Sequence, residues 1–171
     1  MPPRRASAKT PPGRNRASLS ETATVDRLST AARSALMARI GPRNSKPEMI
    51  VRRLLHSRGW RYRLHRKDLP GTPDLVFPRL RKVIFVNGCF WHGHTCRLGR
   101  LPSTRSEFWS EKIEGNRARD ARKTRALIEQ GWDVHTVWQC HLKDIEELLV
   151  ELELFLRATI GSASNSEHGS V

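Results

Sequence analysis

Hydrophobic positions along this chain switch between helical spacing and strand alternation, and the order of the switches predicts a mixed α/β domain. Residues 25–40, with Leu28, Ala32, Ala35 and Leu36 along one face, read as a helix ending before Gly41-Pro42. Ser45-Lys46-Pro47-Glu48 has the form of a capping box with Pro in the first turn. Ile50, Val51, Leu54 and Leu55 continue one face as far as Gly59, so a second helix starts near residue 46. Trp60, Tyr62 and Leu64 alternate with Arg61, Arg63 and His65, the period of a half-buried strand. Leu69-Pro70-Gly71-Thr72-Pro73 is a turn, and Asp74-Leu75-Val76-Phe77 is a short strand after it. Residues 78–82 turn the chain back into Val83-Ile84-Phe85-Val86, an unbroken apolar run expected of a central strand. Residues 106–130 are helical in character, with a break expected near Gly115 and a stop at Gly131. Residues 132–138 form the next strand, and residues 142–156 place apolar groups at 145, 148, 149, 152 and 155, an amphipathic helix.

Helices packed on a mixed sheet follow from this order, as a single α/β domain over residues 25–160. Residues 1–24 are rich in Pro, Arg, Ser, Ala and Thr, and residues 161–171 in Ser, Gly and Asn. Both lack periodicity and are expected to be disordered tails.

Charge narrows the partner. The 171 residues carry 31 Lys and Arg against 17 Asp and Glu, a net charge of +14, which calls for a polyanion. Basic residues are spread along the chain with five Trp among them, a pattern that favours nucleic acid over a membrane surface. No apolar run reaches the ~18 residues of a membrane span. The basic N-terminus is not followed by the apolar stretch of a secretory signal. Three cysteines without an even, spaced framework suggest a reducing cytoplasm and metal binding rather than disulfides. A single basic domain with no heptad or dimer stripe is expected to be a monomer.

Candidate chemistry gathers at the end of the central strand. Residues 86–96 hold Asn87, Cys89, Phe90, Trp91, His92, His94 and Cys96, and the third cysteine, Cys140, also follows a strand-like run. Cys89, His94, Cys96 and Cys140 can therefore converge as four ligands, a set suited to a closed, tetrahedral, structural Zn²⁺ site; His92 is the alternative imidazole. Asp74, beginning a strand whose neighbour leads into this loop, is placed either for a hard cation such as Mg²⁺ or simply as a turn former. Phe90 and Trp91 could wedge between nucleobases or cover the zinc site, and Trp109, after Phe108, has the same two readings. His92 could act as a general base oriented by Asp120, unless Asp120 only pairs with Arg117 or Lys123 on a helix surface. Glu48 is first of all a capping-box residue.

Several segments together resemble the very short patch repair (Vsr) DNA mismatch endonucleases. They are residues 69–74, the run Val83-Ile84-Phe85-Val86-Asn87-Gly88-Cys89-Phe90-Trp91-His92-Gly93-His94-Thr95-Cys96, residues 102–113, and Gly131-Trp132 through Val137-Trp138-Gln139-Cys140. The resemblance runs from about Thr30 to Lys143, and its Cys-Phe-Trp-His-x-His-x-Cys core is highly specific. It implies a restriction-endonuclease-like α/β fold and a Mg²⁺-dependent nick in the thymine strand of double-stranded DNA at a T·G mismatch, the product of 5-methylcytosine deamination. The implied place of action is the bacterial nucleoid, with mismatch-repair proteins as possible partners. By the same resemblance Asp74 would ligate Mg²⁺, His92 would be the general base supported by Asp120, and Glu48 would act near the metal or the hydrated phosphate. Cys89, His94, Cys96 and Cys140 would hold Zn²⁺, while Phe90, Trp91 and Trp109 would enter the base stack. The chain departs from the pattern at Asn87, where some members have a second catalytic His; Asn can hydrogen-bond but cannot change charge. The Asp…Glu-x-Lys nuclease signature is also missing, since Phe85-Val86-Asn87 stands in its place. Competing expectations are a non-catalytic zinc-stabilised DNA-binding module and a restriction-type nuclease that cuts paired DNA.

Overall fold

The computed structural model describes residues 43–159; the helix expected over 25–40 and the two expected tails lie outside the described residues. Helix α1 (Lys46–Ser57) starts as its sequence directs. Ser45 accepts a hydrogen bond from the Glu48 amide at 3.3 Å, Pro47 fills the first turn, and Val51 and Leu55 are buried. Gly59, at φ 84°, reverses the chain into β1 (Arg63–Leu64), which pairs with β2 (Leu75–Phe77). Strand β3 (Lys82–Asn87) follows, then helix α2 (Ser106–Glu129), strand β4 (Asp133–Trp138) and helix α3 (Ile145–Arg157).

The four strands lie in the order β1-β2-β3-β4, with the first two pairings antiparallel and β3·β4 parallel. A parallel pair needs a crossover, and α2 lies within it. The sheet is buried on both faces because its strands alternate between two apolar clusters. Leu75, Phe77 and Ile84 point to α1 and α3, meeting Val51, Leu55, Leu148 and Leu152. Val76 and Val83 point the other way, to Leu127 of α2 and to Leu69 and Trp132. This mixed sheet flanked by helices is the α/β arrangement that the periodicity predicts, and it agrees with the restriction-endonuclease-like fold that the resemblance implies.

Four local details differ from the sequence expectation. First, β1 is only two residues long, although Trp60 and Tyr62 still pack their rings edge-on against Phe77 at 6.4 and 5.9 Å. Second, α2 runs through Gly115 without a break. A Cβ there would meet nothing within 4 Å, and the ~1 kcal/mol cost of one glycine is outweighed by the flanking helix formers. Third, α3 begins at Ile145 under an Asp144 cap, whose carboxylate accepts from the Glu147 amide at 2.9 Å. It buries Leu156 while Phe155 is half-buried. Fourth, Lys82 opens β3 instead of closing a turn, and it is buried.

The Lys82 ammonium is satisfied at the C-terminal end of α3. It donates to the carbonyls of Phe155 and, at 2.7 Å, Ala158, stands 4.8 Å over the Phe155 ring, and has Asp133 at 3.8 Å. The last turn of α3 thereby gains donors for carbonyls that have no partner within the helix, at its negative dipole end. Lys82→Met keeps the apolar stem and removes the donors, so it should cost on the order of 1–3 kcal/mol. Thermal or urea unfolding would read the loss directly; an unchanged midpoint would mean that the tether contributes nothing.

Candidate active site and cysteine/histidine cluster

Parallel pairing of β3 and β4 sets the first cluster. Asn87 lies opposite Trp138, so Cys89 and Cys140, each two residues further along its own chain segment, leave the sheet side by side. A tight loop then folds back over them: the amides of His92 and His94 donate to the carbonyls of Gly88 and Cys89 at 3.3 and 2.9 Å. The donor atoms of Cys89, His94, Cys96 and Cys140 all lie within 4.8 Å of one another, with His94 Nδ1 3.5 Å from Cys140 Sγ. The His94 ring stacks on Trp138 at 4.4 Å. Gly99 permits this closure, since a Cβ there would run into the His94 carbonyl.

The thiols do not ionise together without help. Burial pushes Cys89 up to about 12 and also raises Cys140, whereas the hydrogen bond with His94 brings Cys96 down to about 6. A bound cation would hold all three as thiolates, releasing protons as it bound.

Helix α2 straps the same loop from the other side. Asn116 Nδ2 donates to the Trp91 carbonyl at 2.7 Å, and Arg117 donates to the Gly93 carbonyl. Gly93, at φ 63°, lies so close to Ile113 and Arg117 that a side chain would displace them. One turn further along α2, Asp120 Oδ2 meets His92 Nδ1 at 2.5 Å, and Lys123 Nζ stands 3.4 Å from the other carboxylate oxygen. Burial works against the Asp120 charge, but His92 and Lys123 together hold its pKa below the usual value. His92 thus stands apart from the four-donor cluster and is oriented by Asp120, with Nε2 left for other partners.

A second group of donors lies across the sheet end. Asp74, immediately before β2, accepts from the Val86 amide of β3 at 2.7 Å through Oδ2. His65 bends away from β1 at φ 45°, so its ring sits between two carboxylates: Nε2 is 3.0 Å from Glu48 Oε1 and Nδ1 3.8 Å from Asp74 Oδ1. Glu48 is 2 % exposed and also has Arg52 at 3.5 Å. Burial pushes the Asp74 carboxyl up to about 6; the Val86 amide and the two histidines lower it, and neighbouring Glu48 raises it. Asp74, His65, Asn87, His92, Asp120 and Lys123 all line one cleft of about 490 Å³.

Beside the cleft, Phe90, Trp91 and Trp109 form a triangle of edge-to-face contacts with centroids 5.1 to 6.1 Å apart. All three are half-buried, and Phe108, 46 % exposed, adds a fourth ring against Trp109 at 5.2 Å.

Comparison with known proteins decides what kind of protein carries this site. A profile of the DNA mismatch endonuclease Vsr family matches residues 25–98. The type II nicking enzyme V.XorIIP of Xanthomonas oryzae pv. oryzae is 58% identical over 132 residues, covering 77% of this chain and 97% of the relative. This chain belongs to the Vsr DNA mismatch endonuclease family. The DNA mismatch endonuclease Vsr of Escherichia coli is 45% identical over 121 residues, 71% of this chain and 78% of that one. A type II nicking enzyme of Neisseria meningitidis, V.NmeAIP, is 40% identical over 120 residues, 70% and 86% of the two chains. The protein is therefore a DNA endonuclease of the nicking class. Among the described residues, no helix is long and apolar enough to cross a membrane.

In this Vsr-family endonuclease the structure gathers residues that the sequence leaves scattered. Asp74, Asn87, His92 and Asp120 come to one cleft, with Glu48 buried behind it. Only half of the capping box forms: Ser45 caps the helix, while the Glu48 side chain turns inward to His65 instead of back to the Ser45 amide. His65 escapes sequence reasoning because alternation with Trp60, Tyr62 and Leu64 assigns it to a solvent face with Arg61 and Arg63. A His ending a run of exposed Arg, four residues before the Leu69-Pro70-Gly71 turn, was the available signal.

The raised Asp74 pKa gives a stability test. Its folded-state value, about 6, lies above the ordinary 3.8, so folding favours the protonated form. The penalty on folding is complete above pH 6 and vanishes below about pH 4. Asp74→Asn, which retains an acceptor for the Val86 amide, should raise stability at pH 8 by on the order of 2 kcal/mol in buffer without added divalent cations. The gain over wild type should shrink to nothing near pH 4 in thermal melts; a pH-independent difference would contradict it.

Proposed function

We propose that this endonuclease nicks the thymine strand of duplex DNA at a T·G mismatch by divalent-metal-assisted phosphodiester hydrolysis, with Mg²⁺ at Asp74 and a structural Zn²⁺ in the cysteine/histidine cluster. The observation that carries the reading is the meeting of Asp74 and the His92–Asp120 pair in one cleft, beside aromatic rings carried by the same loop as His92. The name of the Escherichia coli relative, a DNA mismatch endonuclease, supports the choice of substrate.

The donor sets fit the two ions. Three thiols and one imidazole within 4.8 Å match a closed tetrahedral Zn²⁺ shell. Glu48, His65 and Asp74 also offer donor atoms within 4.8 Å of one another, two carboxylates and one imidazole, a set that suits a divalent cation. When bound, Mg²⁺ supplies charge stabilisation for the pentavalent phosphorus and the leaving 3′ oxygen.

The protein's own residues do the rest. Asp120 accepts the Nδ1 proton of His92, which fixes the tautomer and leaves Nε2 free to take a proton from water. The water oxygen bonds to phosphorus in line as the bond from phosphorus to O3′ breaks, leaving a 5′-phosphate and a 3′ oxygen that takes a proton from solvent water to become the 3′-hydroxyl. Lys123 and Arg43 line the cleft as phosphate contacts. Asn87, also in the cleft, serves as a hydrogen-bonding group that positions the phosphate without moving a proton. Phe90, Trp91 and Trp109 wedge into the base stack, which costs less at a mismatch than between well-stacked pairs.

End-labelled duplexes with and without one T·G pair test this directly. In Mg²⁺, wild type should nick the thymine strand of the mismatched duplex only, and Asp74→Ala should reduce the rate by at least about a hundredfold. Binding without cleavage, or equal cutting of paired DNA, would reject it. Trp91→Ala should lower the preference for mismatched over paired duplex; equal loss on both substrates would sink the wedge.

A further inference from the structure

We propose that His65 is a protein ligand to the same divalent cation as Asp74 and Glu48, and that its nitrogen shifts the site's preference from Mg²⁺ toward Mn²⁺ and its transition-metal neighbours. The inference rests on the proposed metal at Asp74 and adds what the third side chain selects.

The donors are grouped closely enough to share one ion. One ligand atom from each of Glu48, His65 and Asp74 lies within 4.8 Å of the other two. The His65 ring stands between the two carboxylates, Nε2 3.0 Å from Glu48 Oε1 and Nδ1 3.8 Å from Asp74 Oδ1, and an imidazole binds a cation through one of these nitrogens. Nε2 is buried and faces the Glu48 carboxylate, so the ring is held at the group by an oxygen that would itself be a ligand. Asp74 is fixed as well: Val86 N–H holds Oδ2 at 2.7 Å, and Oδ1 faces His65. The other cation close to this group, Arg52, approaches Glu48 at 3.5 Å from α1 and reaches no other member of it.

The chemistry of the set decides the preference. Mg²⁺ takes oxygen ligands in a strict octahedron and keeps much of its water, whereas imidazole is a ligand for borderline transition metals. Two carboxylates and one imidazole therefore form a site that Mg²⁺ can occupy through oxygens alone and that Mn²⁺ or Co²⁺ can occupy with all three. Mn²⁺ is the useful probe, because its preference for oxygen and nitrogen keeps it away from the thiols of the other cluster.

The experiment titrates zinc-replete protein with Mn²⁺ by electron paramagnetic resonance and displaces it with Mg²⁺, for wild type, His65→Gln and Asp74→Ala. His65→Gln keeps the length of the side chain and offers an amide oxygen. It should weaken Mn²⁺ by at least about tenfold while the Mg²⁺ constant changes less than about threefold. Electron spin echo modulation of bound Mn²⁺ should show a coupled ¹⁴N in wild type that His65→Gln loses. An unchanged Mn²⁺ to Mg²⁺ ratio in His65→Gln, or a wild-type signal without ¹⁴N coupling, overturns the inference even if the variant folds poorly. If Asp74→Ala abolishes binding of both ions while His65→Gln behaves as wild type, the metal at Asp74 stands and the role of His65 falls. If Asp74→Ala leaves both affinities unchanged, both readings fall together.

Discussion

The parallel ladder between β3 and β4 is the constraint on which the site depends. Six paired residues end at Asn87 and Trp138, and equal two-residue steps beyond that pair carry Cys89 and Cys140 to the same point. A register slip of one residue would turn the side chains of β4 to the opposite face and separate the two cysteines. The hydrophobic clusters on both faces of the sheet therefore do more than stabilise it. By fixing which residues lie opposite one another, they set the positions of ligands that are 51 residues apart in sequence. Everything in the following loop inherits that placement, including the aromatic rings and His92.

Where the chemistry is local, the sequence shows it plainly. The spacing of Cys89, His94 and Cys96 in one short loop points to a shared ligand set, and the apolar run before it points to a central strand. Cys140 could be added because only three cysteines exist in the chain. What stayed hidden depends on tertiary direction. Nothing in Ser45-Lys46-Pro47-Glu48 indicates that Glu48 will leave the helix terminus to meet His65, because capping-box geometry is satisfied locally without it. Nor does strand alternation foresee a residue in left-handed backbone, and that one bend of His65 converts a surface position into a cleft wall. Gly115 misleads in the opposite sense, since a propensity cost of about 1 kcal/mol is too small to break a helix of this length.

Electrostatics separates the two sides of the cleft. Asp120 is held ionised by His92 and Lys123, while Asp74 is pushed toward its neutral form by burial and by Glu48. Two carboxylates near one another in space thus face opposite demands. One has its countercharges built into the protein, and the other is left short of positive charge, an imbalance that an arriving cation relieves. The +14 net charge of the chain brings DNA to the surface, but this local deficit lies inside the basic envelope.

Helix α2 has an unusual means of attachment. Of its 24 residues only Ile113, about two turns in, and Leu127, in the last turn, are buried, and between them it meets the loop through Asn116, Arg117 and Asp120. The loop that these contacts hold carries His92 between Cys89 and His94. A cation bound by Cys89 and His94 would therefore also brace the segment that presents His92 to Asp120, so the framework and the orientation of the base are joined in one piece of chain.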